Sequence, residues 1–170
     1  MVGGVLRFAR EPFAAILMMS LELKIPPVAV FLLCGVGMWL LKSLLPGLGL
    51  MVPGSRPIAV LVAGIGLAIA ISGVIAFRTA KTTVDPRYPE KSSAIVTRGI
   101  FRRSRNPMYL GLLLVLLGWA VFLRHLLPFA VLPMFVLYMN YFQIIPEERA
   151  MQASFGDAYS AYQDQVGRWF

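Results

Sequence analysis

Residues 58–77 carry no charged side chain over 20 consecutive positions. About 20 apolar residues in a helix cross the ~30 Å hydrocarbon core of a bilayer, and a soluble fold has no exterior place for such a run. That stretch sets the class of the whole chain, and the composition agrees with it. The sequence is 58% hydrophobic and only 14% charged, with a mean hydropathy of +0.74. A water-facing surface cannot be built from that mixture, so the apolar excess belongs in lipid.

Three further apolar runs follow the same logic. Residues 25–45 open on Pro26-Pro27, which suits a helix start, and Lys42 near the end can snorkel to the interface. Residues 108–123 form a slightly short run of 16, and residues 126–145 form another, with Pro128, Pro133, Asn140 and Gln143 inside it. Arg124-His125 between these two is too short for an ordinary loop and reads as the far turn of a tight helical hairpin. In 58–77, Gly64, Gly66, Ala68, Ala70, Ser72 and Gly73 supply small faces for close helix contact. Asn140 and Gln143, spaced i, i+3, share a helix face and suit hydrogen bonds between helices. Residues 1–24 place Arg7 and Arg10 before a short apolar run that Glu22 and Lys24 follow. An interfacial amphipathic helix is preferred there over a cleaved signal peptide. The expected fold is therefore all-α: an integral membrane bundle of about four transmembrane helices, with an additional N-terminal interfacial helix and a C-terminal helical tail.

Charge orients this bundle. Residues 78–106 carry Arg78, Lys81, Arg87, Lys91, Arg98, Arg102, Arg103 and Arg105 against only Asp85 and Glu90. The opposite side holds Lys42, Arg56 and Arg124, so the positive residues divide eight against three and the basic segment is expected to face the cytoplasm. An even number of spans returns the tail, 146–170, to the same side. The net charge of +8 lies in short loops between apolar runs, which argues against nucleic-acid binding. One cysteine, Cys34, excludes an intrachain disulfide, and one histidine, His125, excludes a multi-histidine metal site. The Gly-x-Gly pairs at 35/37 and 64/66 have no strand before them and are not nucleotide loops.

Two polar stretches stand out. Arg102, Arg103 and Arg105 can bind a carboxylate or phosphate in bidentate geometry, and the same residues suit anionic lipid. Asn106-Pro107 behind them reads as an N-cap and first-turn proline. In the tail, Pro146 followed by Glu147 and Glu148 reads as a helix start stabilised by the dipole, or as a pair of carboxylates that hold an ammonium group. Tyr159 and Tyr162 lie at i, i+3 beside Phe155, and Arg168-Trp169-Phe170 follows.

These pieces occur in a recognisable order. Thr82-Thr83-Val84-Asp85-Pro86 precedes Val96-Thr97-Arg98-Gly99-Ile100-Phe101-Arg102 and Ser104-Arg105-Asn106-Pro107-Met108-Tyr109-Leu110-Gly111. Then come Glu147-Glu148, Phe155-Gly156-Asp157-Ala158-Tyr159, Tyr162 and Arg168-Trp169. The set resembles the isoprenylcysteine carboxyl methyltransferase family and its phospholipid N-methyltransferase relatives, over residues 77–169. Isoprenylcysteine enzymes commonly have His where Asn106 stands, whereas Asn-Pro-Met-Tyr-x-Gly is closer to the phospholipid branch.

The resemblance implies a helical membrane enzyme that uses S-adenosylmethionine without a Rossmann domain and releases S-adenosylhomocysteine. It implies cofactor contacts from Gly99, Arg105, Asn106, Pro107, Tyr109, Glu147, Glu148, Tyr159 and Tyr162. Arg168 and Arg103 would orient the acceptor, a lipid or prenylated molecule reached sideways from the bilayer, and no metal is implied. Residues 1–77 would then be N-terminal helices and 78–170 the catalytic part, in a plasma, inner or endoplasmic reticulum membrane. Two other functions fit the residues: an NADPH-dependent membrane reductase of the sterol-reductase type, and a non-enzymatic protein that binds anionic lipid.

Overall fold

The computed structural model describes residues 22–50, 53–80 and 94–170. The expected N-terminal interfacial helix, and Thr82–Pro86 with its neighbouring basic residues Lys81, Arg87 and Lys91, lie outside the described residues. Six α-helices make up the described chain: α1 (Pro27–Leu44), α2 (Ser55–Thr79), α3 (Pro107–Leu123), α4 (Val131–Met139), α5 (Ile145–Phe155) and α6 (Asp157–Gln165). No strand occurs among the described residues; Gly49 and His125 form an isolated antiparallel bridge. The all-α expectation is met.

Among the described residues, three helices are long and apolar enough to cross a membrane: Pro27–Leu44, Ser55–Thr79 and a continuous unit, Leu127–Phe155. Pro107–Leu123 is the shorter fourth, as its 16-residue apolar run led one to expect. The outer faces carry the apolar side chains that water would reject. Leu32, Leu33 and Trp39 of α1 and Val60, Leu61, Ile71 and Ile75 of α2 are all exposed. Phe135, Met139, Leu116, Met38 and Ile144 fill the core between α1, α3 and α4.

α2 and α3 are in backbone contact, and small residues make that possible. A Cβ on Gly66 would sit 2.6 Å from the Gly111 carbonyl oxygen, and one on Gly111 would sit 2.5 Å from the Gly66 carbonyl oxygen. Gly118 repeats the pattern one heptad later, 2.7 Å from the Ala59 carbonyl oxygen, and Gly73 seats the Met108 side chain. In lipid there is no hydrophobic drive between helices, so this close packing holds the pair. Gly64 faces open space.

Arg124-His125 makes the expected tight turn. Arg124 takes a left-handed conformation, φ 52°, and its Nε donates to the buried Ser55 Oγ at 2.7 Å. His125 Nε2 lies 2.7 Å from the Leu45 carbonyl, which can only accept. Nε2 therefore carries the proton, and Nδ1 accepts from the Leu127 N–H at 3.3 Å. The single histidine is a buried stitch between the α1–α2 connection and the α3–α4 turn.

One finding departs from the expected fold. Pro146 does not open a new helix after a loop. The chain stays helical from α4 into α5 through a π-turn, Asn140–Ile144, in which the Ile145 N–H donates to the Asn140 carbonyl. Ile144, just before α5, has helical dihedrals of φ −66° and ψ −48°. Glu147 and Glu148 thus belong to the continuing helix and are not stabilised by a free helix terminus. The π-turn also separates Asn140 from Gln143. Gln143 Nε2 donates to the Ile25 carbonyl at 2.7 Å, tying α4 to the entrance of α1, while Asn140 bonds to the tail.

The contact geometry gives an asymmetric expectation. Gly111→Leu should lower stability in detergent by about 2 kcal/mol or more, because backbone atoms cannot move aside. Gly64→Leu should leave the unfolding transition within about 0.5 kcal/mol of the parent. Equal sensitivity at both positions in thermal or denaturant unfolding would contradict the packing assignment.

Candidate functional site

The site begins where α2 ends. Phe77 packs edge-on against Phe101 with ring centroids 5.1 Å apart. Phe101 is buried in a short 3-10 turn, Gly99–Arg102, whose first residue has φ 63°, a conformation that favours glycine. This turn aims Ser104 and Arg105 inward, while Arg102 and Arg103 are exposed. Ser104, 1% exposed, accepts the Asn106 N–H at 3.1 Å. Pro107 then supplies the first residue of α3. Asn106 holds the N-cap position, but its side chain makes no capping bond; Nδ2 donates instead to the Arg168 carbonyl at 3.0 Å.

The tail comes back to this corner. Gly156, φ 52°, breaks the chain between α5 and α6 and folds α6 back. Tyr159, Tyr162 and Val166 are buried in a small cluster with Ile95, Met151 and Phe155 around them. The Tyr162 hydroxyl donates to the Phe101 carbonyl at 2.7 Å. The Arg105 N–H donates to the Gly167 carbonyl at 3.0 Å, and Trp169 Nε1 donates to Asn140 Oδ1 at 3.0 Å. Residues 166–170 thus form a strap fastened to the start of α3 on one side and to the π-turn on the other.

Between these elements lie the two glutamates. The Tyr109 hydroxyl donates to Glu147 Oε1. Glu148 accepts two bonds from Arg168, Nε at 3.0 Å and Nη2 at 2.6 Å, and also pairs with Arg105 Nη2 at 3.1 Å. The side chains of Arg105 and Glu148 are 11% and 13% exposed, against 36% for Arg168. Hydrogen bonding to Glu148, set against the loss of hydration, raises the pKa of Arg168 above that of a free guanidinium. Burial, together with the Glu148 charge, pushes the Tyr159 phenol up to about 12, although Arg105 opposes this. Burial, then Tyr159, raises Tyr162 as well. Both tyrosines are therefore neutral hydrogen-bonding groups at physiological pH. Among the described residues, Arg105 Nε and Nη1 are buried and make no well-formed hydrogen bond, with the Tyr159 phenol close by. Two desolvated donors of a cationic group, both aimed into one cluster, suit an anionic ligand group.

Of the residues singled out in the sequence, six meet in a cluster of two bonded groups that adjoin through the neighbouring Glu147 and Glu148: Tyr109 with Glu147, and Arg105, Arg168 and Asn106 around Glu148. Tyr159 lies beside it within the electrostatic reach of Arg105 and Glu148. Tyr162 and Pro107 are buried in its walls and Gly99 in the turn that leads to it is exposed. Arg103 is exposed and takes no part in these bonds. Ser104, Asn140, Gly167 and Trp169 hold the cluster together and were not assigned to the site from sequence. For Asn140 and Trp169 the signal was present, a polar side chain at membrane depth and an aromatic next to Arg168, but neither names its partner.

Comparison with known proteins adds two matches. Residues 55–158 match the profile of a family described as phospholipid methyltransferase. An uncharacterized protein of Haemophilus influenzae is 44% identical over 62 residues, covering 36% of this chain and 98% of that protein. No solved structure matches.

The cluster sets an order of sensitivities. Glu148→Ala leaves Arg105 buried without its counter-charge and should cost about 3 kcal/mol of stability. Arg168→Ala removes a more exposed partner and should cost roughly 1 kcal/mol. Denaturant unfolding in detergent measures both, and a larger loss for Arg168→Ala would contradict the burial of the Arg105–Glu148 pair.

Proposed function

The chain belongs to the phospholipid methyltransferase family, and from that premise we propose that it is an S-adenosylmethionine-dependent methyltransferase acting on a lipid-phase acceptor. The observation that carries this reading is the meeting of two patches far apart in sequence. Arg105 and Tyr109 at the head of α3 close on Glu147 and Glu148 of α5 at one end of an apolar bundle. Apolar helices have no need of such a cluster for stability, since buried ion pairs often cost more than a well-packed hydrophobic replacement.

The residues fit the cofactor's chemistry. Its methionine portion offers a carboxylate and an ammonium group. The unsatisfied Nε and Nη1 donors of Arg105 suit the carboxylate, and the paired acids suit the ammonium. When bound, the cofactor supplies an electrophilic methyl group on a sulfonium. The protein's contribution is positioning and exclusion of water. Tyr109 fixes the orientation of Glu147, and Arg105 fixes that of Glu148. The strap covers the cluster through Asn106 and Asn140. Arg168, the more exposed partner of Glu148, is the group able to turn toward an anionic acceptor.

A carboxylate acceptor needs no base, whereas an amine must lose a proton, for which Glu147 and Glu148 are the available acceptors in the cluster. Acceptor chemistry therefore separates O- from N-methylation. The acceptor's apolar part would reach the site from the bilayer, and the cofactor from the basic face, for which the charge bias supports a cytoplasmic orientation.

Titration of the detergent-solubilised protein with S-adenosylhomocysteine should show saturable binding. Glu147→Gln and Arg105→Gln should each weaken it tenfold or more, and Arg103→Gln should change it less than twofold. Tight NADPH binding with no response to S-adenosylhomocysteine would overturn the proposal in favour of a reductase.

A further inference from the structure

The π-turn lies next to the paired glutamates, and one residue accounts for it. Pro146 has no N–H, so in an uninterrupted α-helix the Phe142 carbonyl would lack its donor and would press on the proline ring. The structure shows another solution. The Phe142 carbonyl accepts the Leu23 N–H at 3.0 Å, from the segment leading into α1. One residue earlier the Ile145 N–H reaches back five residues to the Asn140 carbonyl. A π-turn holds one residue more than an α-turn, so everything after it is rotated by about 100° relative to a regular helix.

From this geometry we infer that Pro146 is a positioning residue: by enforcing the π-turn it rotates Glu147 and Glu148 onto the face that meets Tyr109 and Arg105. The inference rests on the proposed function for its binding consequence, but the structural consequence stands on its own. With a regular α-turn in place of Asn140–Ile144, Glu147 would point away from α3. The same turn carries two other fastenings, Asn140 to Trp169 and Gln143 to the Ile25 carbonyl. A single imino acid thus sets the orientation of the carboxylates, the seating of the strap and the docking of the chain before α1. Side-chain chemistry at Pro146 contributes nothing to the ligand; the missing hydrogen does.

The test uses Pro146→Ala and Pro146→Ser, both of which restore the N–H. A proline inside a helix is ordinarily destabilising, so a purely structural view expects no penalty from either change. The expected result is a lower melting temperature in detergent, because the rotation also takes Glu148 from the buried Arg105, together with S-adenosylhomocysteine affinity at least tenfold lower. A second readout needs no ligand. In protein labelled with 5-fluorotryptophan, the Trp169 19F resonance, assigned with Trp169→Phe, should shift in both variants because Glu148, which holds Arg168 and the strap, rotates relative to Asn140. An unmoved Trp169 resonance, or unchanged affinity, overturns the inference. So does a loss of affinity with a melting temperature that is unchanged or higher, since Glu148 would then have kept its partners. If the parent protein fails to bind S-adenosylhomocysteine, the proposed function fails. The Trp169 resonance then decides the inference alone, a shift in both variants supporting it and no shift overturning it.

Discussion

A carboxylate taken out of water must find charge or donors, and the rest of this structure follows from where Glu148 finds them. Its partners come from residues 105 and 168, far apart along the chain. Meeting that demand draws the α3 entrance, the α5 helix and the C-terminal strap to one point. The cost of burying Glu148 is offset only when all three arrive together, so the polar cluster specifies the arrangement of helices that are otherwise interchangeable in lipid. Apolar packing alone has no such selectivity: a face of Leu and Val can slide against another, whereas an arginine placed one turn away leaves a charge unmatched.

The close contact of α2 with α3 serves that point from the other side. Gly66, Gly111, Gly118 and Ala59 bring two backbones together, and Gly73 seats Met108 beside Pro107. This fixes the height at which α3 begins, and with it the positions of Arg105 and Tyr109. At the far end of the bundle, Arg124, His125 and Ser55 close the hairpin with hydrogen bonds of their own. Apart from Arg105 Nε and Nη1, the polar groups named at both ends have specific partners, and the exposed faces between them are left to Leu, Val, Ile and Trp.

Much of this was legible in the sequence because a bilayer imposes simple rules. Runs of apolar residues gave the first three spans within a few positions, whereas the fourth, read as 126–145, continues to Phe155; the turn at Arg124-His125 followed from their lengths. The small-residue face of α2 was visible as composition. The site was legible as two patches that topology must bring to one side. Three things were hidden. Proline before two acids has the same appearance at a helix start as after a π-turn, and only the tertiary donor Leu23 separates them. Asn106 sits where a cap belongs, but the strap offered its amide a better partner. Arg103 and Arg105 are equivalent as residue types; the conformation of the turn that begins at Gly99 decides which one is buried. In the first two cases a local preference was overruled by a contact from far along the chain; in the third, two equal residue types were told apart by a turn.

The central claim is that the cluster formed by Arg105, Tyr109, Glu147 and Glu148 is where the methyl donor binds. Ultraviolet cross-linking of radiolabelled S-adenosylmethionine to the solubilised protein, followed by peptide mapping, tests it most directly. The account predicts label in the peptides that contain residues 105–109 and 147–162, competed away by S-adenosylhomocysteine. Competable label confined to α1, or to the Arg124-His125 end of the bundle, would contradict it.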